Sequence, residues 1–306
     1  MAENRPEGTG FRSGFAAIAG RPSVGKSTLL NRVVGQKVAI VSDKPQTTRN
    51  RIAGVLNEPG LQVVFVDTPG IHKPRHKLGE YMVTVAKRTL GDVDVVLFMV
   101  DGSTPPGPGD RYVADLLRRV TSPVILVLNK IDLLPGADGV LPHAEGYASL
   151  VNAREVIPAS AATGFNVDRV VEVVAALMPE GPMYYPEGEV TDQPERFIAR
   201  ELIREKLLLL TREEVPHSVA VDVEEMSPRK GDLVYISASV YVERESQKRI
   251  VIGEGGRLLK EVGRLARLDI EALLGNRVYL DLWVKVKKDW RNTESVLRAL
   301  GYDPRG

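Results

Sequence analysis

The run Gly20-Arg21-Pro22-Ser23-Val24-Gly25-Lys26-Ser27 constrains this chain more than any other feature. A G-x-x-x-x-G-K-S pattern needs a strand before it and a helix behind it. Both are in place: the apolar stretch Phe15-Ala16-Ala17-Ile18-Ala19 precedes it, and Thr28-Leu29-Leu30-Asn31-Arg32-Val33-Val34 follows, ending at Gly35. The glycines let the backbone fold around an anion with its N–H groups pointing inward, and the helix N-terminus adds positive partial charge. Gly20, Arg21, Pro22, Ser23, Val24, Gly25, Lys26, Ser27 and Thr28 are the expected phosphate-contacting residues. Lys26 would reach the β- and γ-phosphates as a point charge, and the Ser27 hydroxyl would ligate Mg²⁺.

At 306 residues the chain is long enough for two ordinary domains. Its net charge of +1 identifies no partner, so only local clusters of charge can. With no cysteine, disulfides, thiolate zinc sites and cysteine nucleophiles are excluded, and four histidines offer no transition-metal ligand set. Residues Met1–Ser13 are polar and lack the apolar core of a signal peptide, so they read as a disordered tail. No apolar run approaches membrane-spanning length; Val95–Val100 reads as a buried strand. A soluble, cytoplasmic protein is expected.

Residues 14–180 repeat strand, loop and amphipathic helix. Apolar runs occur at Phe15–Ala19, Val63–Val66, Val95–Val100, Val124–Leu128 and Val156–Ala159. Helical-period segments lie at Ser27–Val34, Leu78–Leu90, Asp110–Val120 and Val167–Leu177. Near-continuous Val/Ile/Leu strands imply an α/β domain with a mostly parallel sheet covered by helices on both faces. Its ligand belongs at the carboxyl ends of the strands. Prolines and glycines then break all periodicity, and residues 181–195 read as a linker. Residues 196–306 follow a different order. A helix at Arg196–Leu210 is followed by strands at Ser218–Glu225 and Leu233–Glu243, then a helix ending at Ile252 and a glycine turn. A helix at Arg257–Leu274, a strand at Val278–Lys287 and a short terminal helix complete an α+β domain.

Three further segments fall where strands end. Val63–Val66 leads into Asp67-Thr68-Pro69-Gly70, whose acid suits Mg²⁺ and whose Gly70 N–H can approach a γ-phosphate. Val124–Leu128 leads into Asn129-Lys130-Ile131-Asp132. The Asp132 carboxylate can accept from both N1–H and the exocyclic amine of guanine, a donor pair that adenine lacks. Val156–Ala159 leads into Ser160-Ala161-Ala162, where the Ala161 N–H would meet guanine O6. Between the first helix and Asp67 lies Gln46-Thr47-Thr48-Arg49. A loop that senses a γ-phosphate needs one hydroxyl on Mg²⁺; Thr48 is the first choice and Thr47 the second.

In their order and separations these segments resemble the Era family of GTPases, from about Gly14 to the C-terminus. The resemblance implies an α/β P-loop GTPase domain followed by a KH type II domain, with GTP or GDP and Mg²⁺ as cofactors. It places Gly20–Ser27 at the phosphates, Gln46–Arg49 in the first switch and Asp67–Gly70 in the second. Asn129–Asp132 and Ser160–Ala161 would hold the base. Lys26, Thr48, Asp67 and Gly70 would serve catalysis, and Ser27, Thr48 and Asp67 the metal. Ile71 stands where Ras-like enzymes carry the glutamine that orients the attacking water. Slow intrinsic hydrolysis is therefore expected. Ser23 stands where many relatives carry an asparagine that the family ties to potassium-assisted hydrolysis, so the resemblance leaves potassium stimulation open here.

In the second half, Val251-Ile252-Gly253-Glu254-Gly255-Gly256-Arg257-Leu258-Leu259-Lys260 sets a G-x-x-G turn between two helices. Such a turn lets backbone approach nucleic-acid phosphates. Lys248, Arg249, Gly253, Glu254, Gly255, Gly256, Arg257, Lys260 and Arg264 are the expected RNA contacts. The residues point only to single-stranded nucleic acid. The family resemblance implies the 3′ end of small-subunit ribosomal RNA, the small subunit itself as partner, a monomer, and peripheral contact with the inner face of the cell membrane. Trp283 and Trp290 read as structural, with stacking on bases the alternative, and Glu201–Leu208 as an amphipathic helix that packs. Two rival readings remain: an RNA-binding protein holding GTP as a structural ligand, and a membrane-linked signalling GTPase.

Overall fold

The computed structural model describes residues 10–134 and 140–303. The chain forms two compact units, one made of Met1–Val38, Arg51–His72 and Val85–Asp192, the other of Ala39–Asn50, Lys73–Thr84 and Gln193–Gly306.

The first unit is built on six strands: β1 (Arg12–Ala19), β2 (Ile52–Glu58), β3 (Leu61–Asp67), β4 (Val95–Asp101), β5 (Val124–Asn129) and β6 (Ala153–Pro158). Their order is β2-β3-β1-β4-β5-β6, parallel except for β2, which runs antiparallel to β3. The helices are α1 (Lys26–Val34), α2 (Lys77–Gly91, joining this unit from Val85), α3 (Pro108–Leu117), α4 (Val140–Ala148) and α5 (Val167–Leu177). Residues of β4 are apolar at every position but the last because both sheet faces are covered. On one face Ala17, Val96, Phe98 and Leu126 pack against Val113 and Leu117 of α3 and Leu90 of α2.

β2 and α4 are elements that periodicity did not indicate. The last strand also starts earlier than Val156, and α3 stops at Leu117, where the Arg118 N–H closes the turn on Ala114 O. The proline-rich stretch is laid along the sheet as far as Asp192. The buried Gln62 side chain accepts from Tyr184 N (2.7 Å) and Tyr185 N (3.0 Å) and donates to Tyr185 O. Val55 N donates to Val190 O, and Thr191 Oγ1 to Ala53 O.

The second unit contains α6 (Glu195–Leu210), α7 (Val215–Ser218), β7 (Ala220–Arg229), β8 (Leu233–Val242), α8 (Glu245–Ile252), α9 (Arg257–Leu274), β9 (Arg277–Val286) and α10 (Glu294–Ala299). Strand order is β7-β8-β9, the first pair antiparallel and the second parallel. One sheet face carries Ile236, Ala238, Val240, Val242 and Val278 against Leu202 and Ile203 of α6 and Val262, Ala266 and Ile270 of α9. The apolar side of α6 is thereby in the core, as expected of a packed helix.

Residues Ala39–Asn50 belong to this unit through a buried arginine. The Arg49 guanidinium donates to Val219 O (2.9 Å) and Tyr302 OH (3.4 Å) and lies over the rings of Trp290 (5.6 Å) and Tyr302 (6.0 Å). Burial pushes its pKa down. Arg204, also buried, donates to Thr47 O and to the Glu201 carboxylate. Trp290 is fully buried, its Nε1 donating to Ser218 O at 2.8 Å. Trp283 departs from the structural role expected of it: it stands 56 % exposed.

Candidate nucleotide site and nucleic-acid groove

In the first unit β1 runs into the loop at Gly20 and α1 starts at Lys26. Gly25, at φ 102°, caps the helix and brings no side chain to its first-turn N–H groups. A Cβ on Gly20 would lie 2.3 Å from Met99 O, so only glycine fits there. Lys26 is buried and donates to Gly20 O (3.2 Å) and Arg21 O (3.0 Å); burial pushes its pKa down to about 8. Ser27 Oγ donates to Asp67 Oδ2 at 2.6 Å, at the carboxyl ends of β1 and β3. These hard oxygen donors suit Mg²⁺, and among the described residues no cluster of three His, Asp or Glu offers another metal a place.

Thr68 donates from Oγ1 to Ile18 O, fastening the second expected switch at its root. Gly70 lies so close to Pro22 that a Cβ would come within 2.8 Å of it. The Ile71 N–H donates to Gly20 O, and its side chain is in the core beside Phe98 and Leu90. His72 Nδ1 lies 2.9 Å from Gly70 O. Thr47 and Thr48 are both buried and group with the second unit rather than with Ser27 and Asp67.

At the end of β5 the Asn129 side chain is 3 % exposed and works as a clamp. Its Nδ2 donates to Val24 O (2.7 Å), and its Oδ1 accepts from Ala161 N (2.8 Å). The Ala161 N–H expected at guanine O6 is thus engaged by Asn129, and Ala161 braces the clamp. Lys130, at φ 66°, turns the chain so that Asp132 stands exposed on the turn Ile131–Leu133. Ser160 is buried, its Oγ accepting from Thr163 N.

Two acids absent from the sequence reading organise these loops. Asp101 at the end of β4 accepts from Lys130 Nζ at 2.8 Å, and Asp110 accepts from Arg21 Nε at 3.1 Å. Burial works to raise the Asp101 carboxyl, but hydrogen bonds from Lys130 and Ser103 outweigh it and hold it below the ordinary range. The signal was present: an acid closing an apolar strand, as at Asp67.

In the second unit Gly253, Gly255 and Gly256 all have positive φ, at 72°, 60° and 78°. A Cβ on Gly253 would meet Leu258 at 2.8 Å. A groove of about 480 Å³ runs between α9 and β9, lined by Gly256, Leu259, Lys260, Arg264, Tyr279 and Leu282 among others. Arg257 pairs with Glu254 and Arg264 with Glu261, all exposed. Lys248 and Arg249 lie on α8, outside the residues that line the groove.

The fold and sites define a P-loop GTPase domain followed by a KH domain. Residues 15–130 match the family described as 50S ribosome-binding GTPase, and residues 214–291 match the KH domain family. A crystal structure of Era in complex with MgGDPNP and nucleotides 1506–1542 of 16S ribosomal RNA is 43% identical, with a TM-score of 0.93, covering 95% of this chain and 99% of that one. A variant of Aquifex aeolicus Era bound to GDP·AlF4⁻ is 42% identical over the same shares, with a TM-score of 0.91. The chain belongs to the Era family of GTPases.

Proposed function

We propose that this protein is a GTP-hydrolysing switch that binds the 3′ region of small-subunit ribosomal RNA and acts in assembly of the small ribosomal subunit, as a cytoplasmic monomer. The carrying observation is the presence of a P-loop site and a G-x-x-G groove in one chain that aligns end to end with a relative holding both kinds of ligand. Nucleotide work belongs to residues 14–180 and RNA binding to 196–306, with 181–195 between them.

Lys26 and the α1 amides would hold the β- and γ-phosphates, while Asn129 keeps the phosphate loop and the base loop in register. Ser27 and Asp67 would hold Mg²⁺, which when bound supplies positive charge against the phosphate oxygens. Thr48, or Thr47, would report the γ-phosphate. Because that segment is fastened to α6 through Thr47 O and to Trp290 and Tyr302 through Arg49, nucleotide state has a short covalent route into the RNA-binding unit.

Neither the side chain nor the N–H of Ile71 is available to orient water. Single-turnover hydrolysis without RNA or ribosomes is expected at about 10⁻³ s⁻¹ or slower, the range of unassisted switch GTPases. A quench-flow trace complete within seconds would exclude this mechanism. The joint change Gly253→Asp and Gly256→Asp puts two carboxylates where phosphates must approach, at positions with positive φ. RNA binding should vanish while GDP affinity stays within about threefold of the parent. The two are read separately by oligonucleotide anisotropy and by nucleotide calorimetry, and loss of GDP binding would show that the RNA and nucleotide units do not act independently.

A further inference from the structure

Base recognition asks the loop after β6 for a hydrogen-bond donor, because guanine presents an acceptor, O6, beside the N1–H that Asp132 takes. Of the N–H groups from Ser160 to Phe165, all but one are already engaged. Ser160 N donates to Phe165 O (3.0 Å), Ala161 N to Asn129 Oδ1 (2.8 Å) and Thr163 N to Ser160 Oγ (3.1 Å). Gly164 N donates to Ser160 O (2.8 Å) and Phe165 N to Thr163 Oγ1 (3.3 Å). Ala162 N has no partner among the described residues, and Ala162 is exposed. In a loop that satisfies every neighbouring donor, this one is left for a ligand.

Its direction is set by a residue outside every motif. Arg32 stands in the last turn of α1, and its guanidinium donates from Nε to Ala161 O (3.3 Å) and from Nη2 to Ala162 O. A trans peptide is planar, with its C=O and the following N–H on opposite sides, and none of the described peptide bonds is cis. Holding Ala161 O toward α1 therefore turns the Ala162 N–H, which shares that plane, away from the helix. A Cβ on Gly164, at φ 92°, would lie 3.6 Å from the same guanidinium, so the loop passes close around it. The turn that carries Asp132 is tied to this loop, since Ile131 N donates to Ala159 O (3.4 Å). Lys26 and Arg32 lie about 9 Å apart along one helix. The element whose N-terminus faces the phosphate loop thus also steadies the loop that meets the base.

We propose that Arg32 is a positioning residue for guanine recognition: by holding the Ala161 and Ala162 carbonyls it presents the Ala162 N–H, in place of the Ala161 N–H, to guanine O6. The inference rests on the reading of Asp132 as the residue that takes N1–H and the exocyclic amine. With both carbonyls held, a purine meets a donor at its 6-position, where guanine carries an oxygen and adenine an amine. Without Arg32 either carbonyl is free to turn toward the base and accept from that amine, and the loop loses its preference. Arg32 acts through the loop and needs no contact with the base.

The test uses the full chain with Mg²⁺ and compares GDP with 6-thioguanosine diphosphate, which keeps N1–H and the amine but puts sulfur, a weak acceptor, in place of O6. By calorimetry the parent should prefer GDP about fivefold, the contribution of one neutral hydrogen bond. In Arg32→Met, GDP should bind about fivefold more weakly and the preference should fall below about twofold. Arg32→Lys, which can hold one carbonyl, should restore part of it. A role confined to loop stability would weaken both nucleotides equally and leave the ratio intact. In the amide spectrum of isotope-labelled parent, GDP should move the Ala162 N–H downfield more than the thio analogue does. An unchanged ratio in Arg32→Met, or a downfield shift at Ala161 instead of Ala162, overturns the proposal. If Asp132→Asn, measured alongside, keeps the parent's GDP affinity, the base reading itself falls first.

Discussion

Asp132→Asn should lower affinity for GTP and GDP at least a hundredfold and hand the preference to xanthosine nucleotides. A carboxylate accepts both N1–H and the exocyclic amine of guanine. The amide offers an acceptor to one and an N–H to the other, so one charge-assisted hydrogen bond, worth about 1.5–3 kcal/mol, gives way to two facing donors and the other drops to a neutral bond. Xanthine carries an oxygen in place of the amine and accepts what the amide donates. The structure makes this a clean experiment: Asp132 is exposed on the turn Ile131–Leu133, beyond the left-handed Lys130, and is not part of the packing. Melting temperature of the nucleotide-free protein should stay within about 2 °C, as for other surface changes. Competition calorimetry with GDP and XDP reads the switch. Equal retention of GDP by the variant would remove Asp132 from base recognition and with it the case for guanine over adenine.

How far the chain could be read before folding depended on whether an element declares itself locally. The phosphate loop did, because its residues act within eight positions of one another. Strands β1, β3, β4 and β5 did, because burial on both faces leaves unbroken apolar runs. β2 did not: Ile52-Ala53-Gly54-Val55-Leu56 is short and interrupted by glycine. The structure explains that glycine, since a Cβ on Gly54 would meet Leu30 and Val34 of α1 at 2.7 Å. Arg49 looked like one member of a polar loop. Nothing near it in sequence shows that its guanidinium lands on Trp290 and Tyr302, more than two hundred positions away. The Asp101–Lys130 pair was hidden in the same way, Asp101 ending β4 and Lys130 standing just past β5. The two tryptophans proved opposite in burial, because alternation along β9 exposes Trp283 while Trp290 lies past the strand, on the short turn Trp290–Asn292.

Asn129→Ala separates two jobs that motif reading merges. A residue that only touched the base would matter only when nucleotide is bound. Asn129 instead spans Val24 O and Ala161 N while nearly inaccessible to water, so truncation leaves a buried carbonyl and a buried N–H without it. Each such orphan costs about 1–3 kcal/mol, so the nucleotide-free protein should lose about 2–5 kcal/mol. For a unit of this size that corresponds to a melting temperature about 5–15 °C lower. Asn129→Asp keeps an acceptor for Ala161 but gives Val24 O no donor, and should fall between the two. Calorimetric melting without nucleotide is the deciding measurement, since added GDP would stabilise the parent by mass action and exaggerate the gap. If nucleotide-free parent and Asn129→Ala melt together, the clamp contributes nothing to the ground state. The register between phosphate loop and base loop must then come from the paired strands β1, β4 and β5 alone.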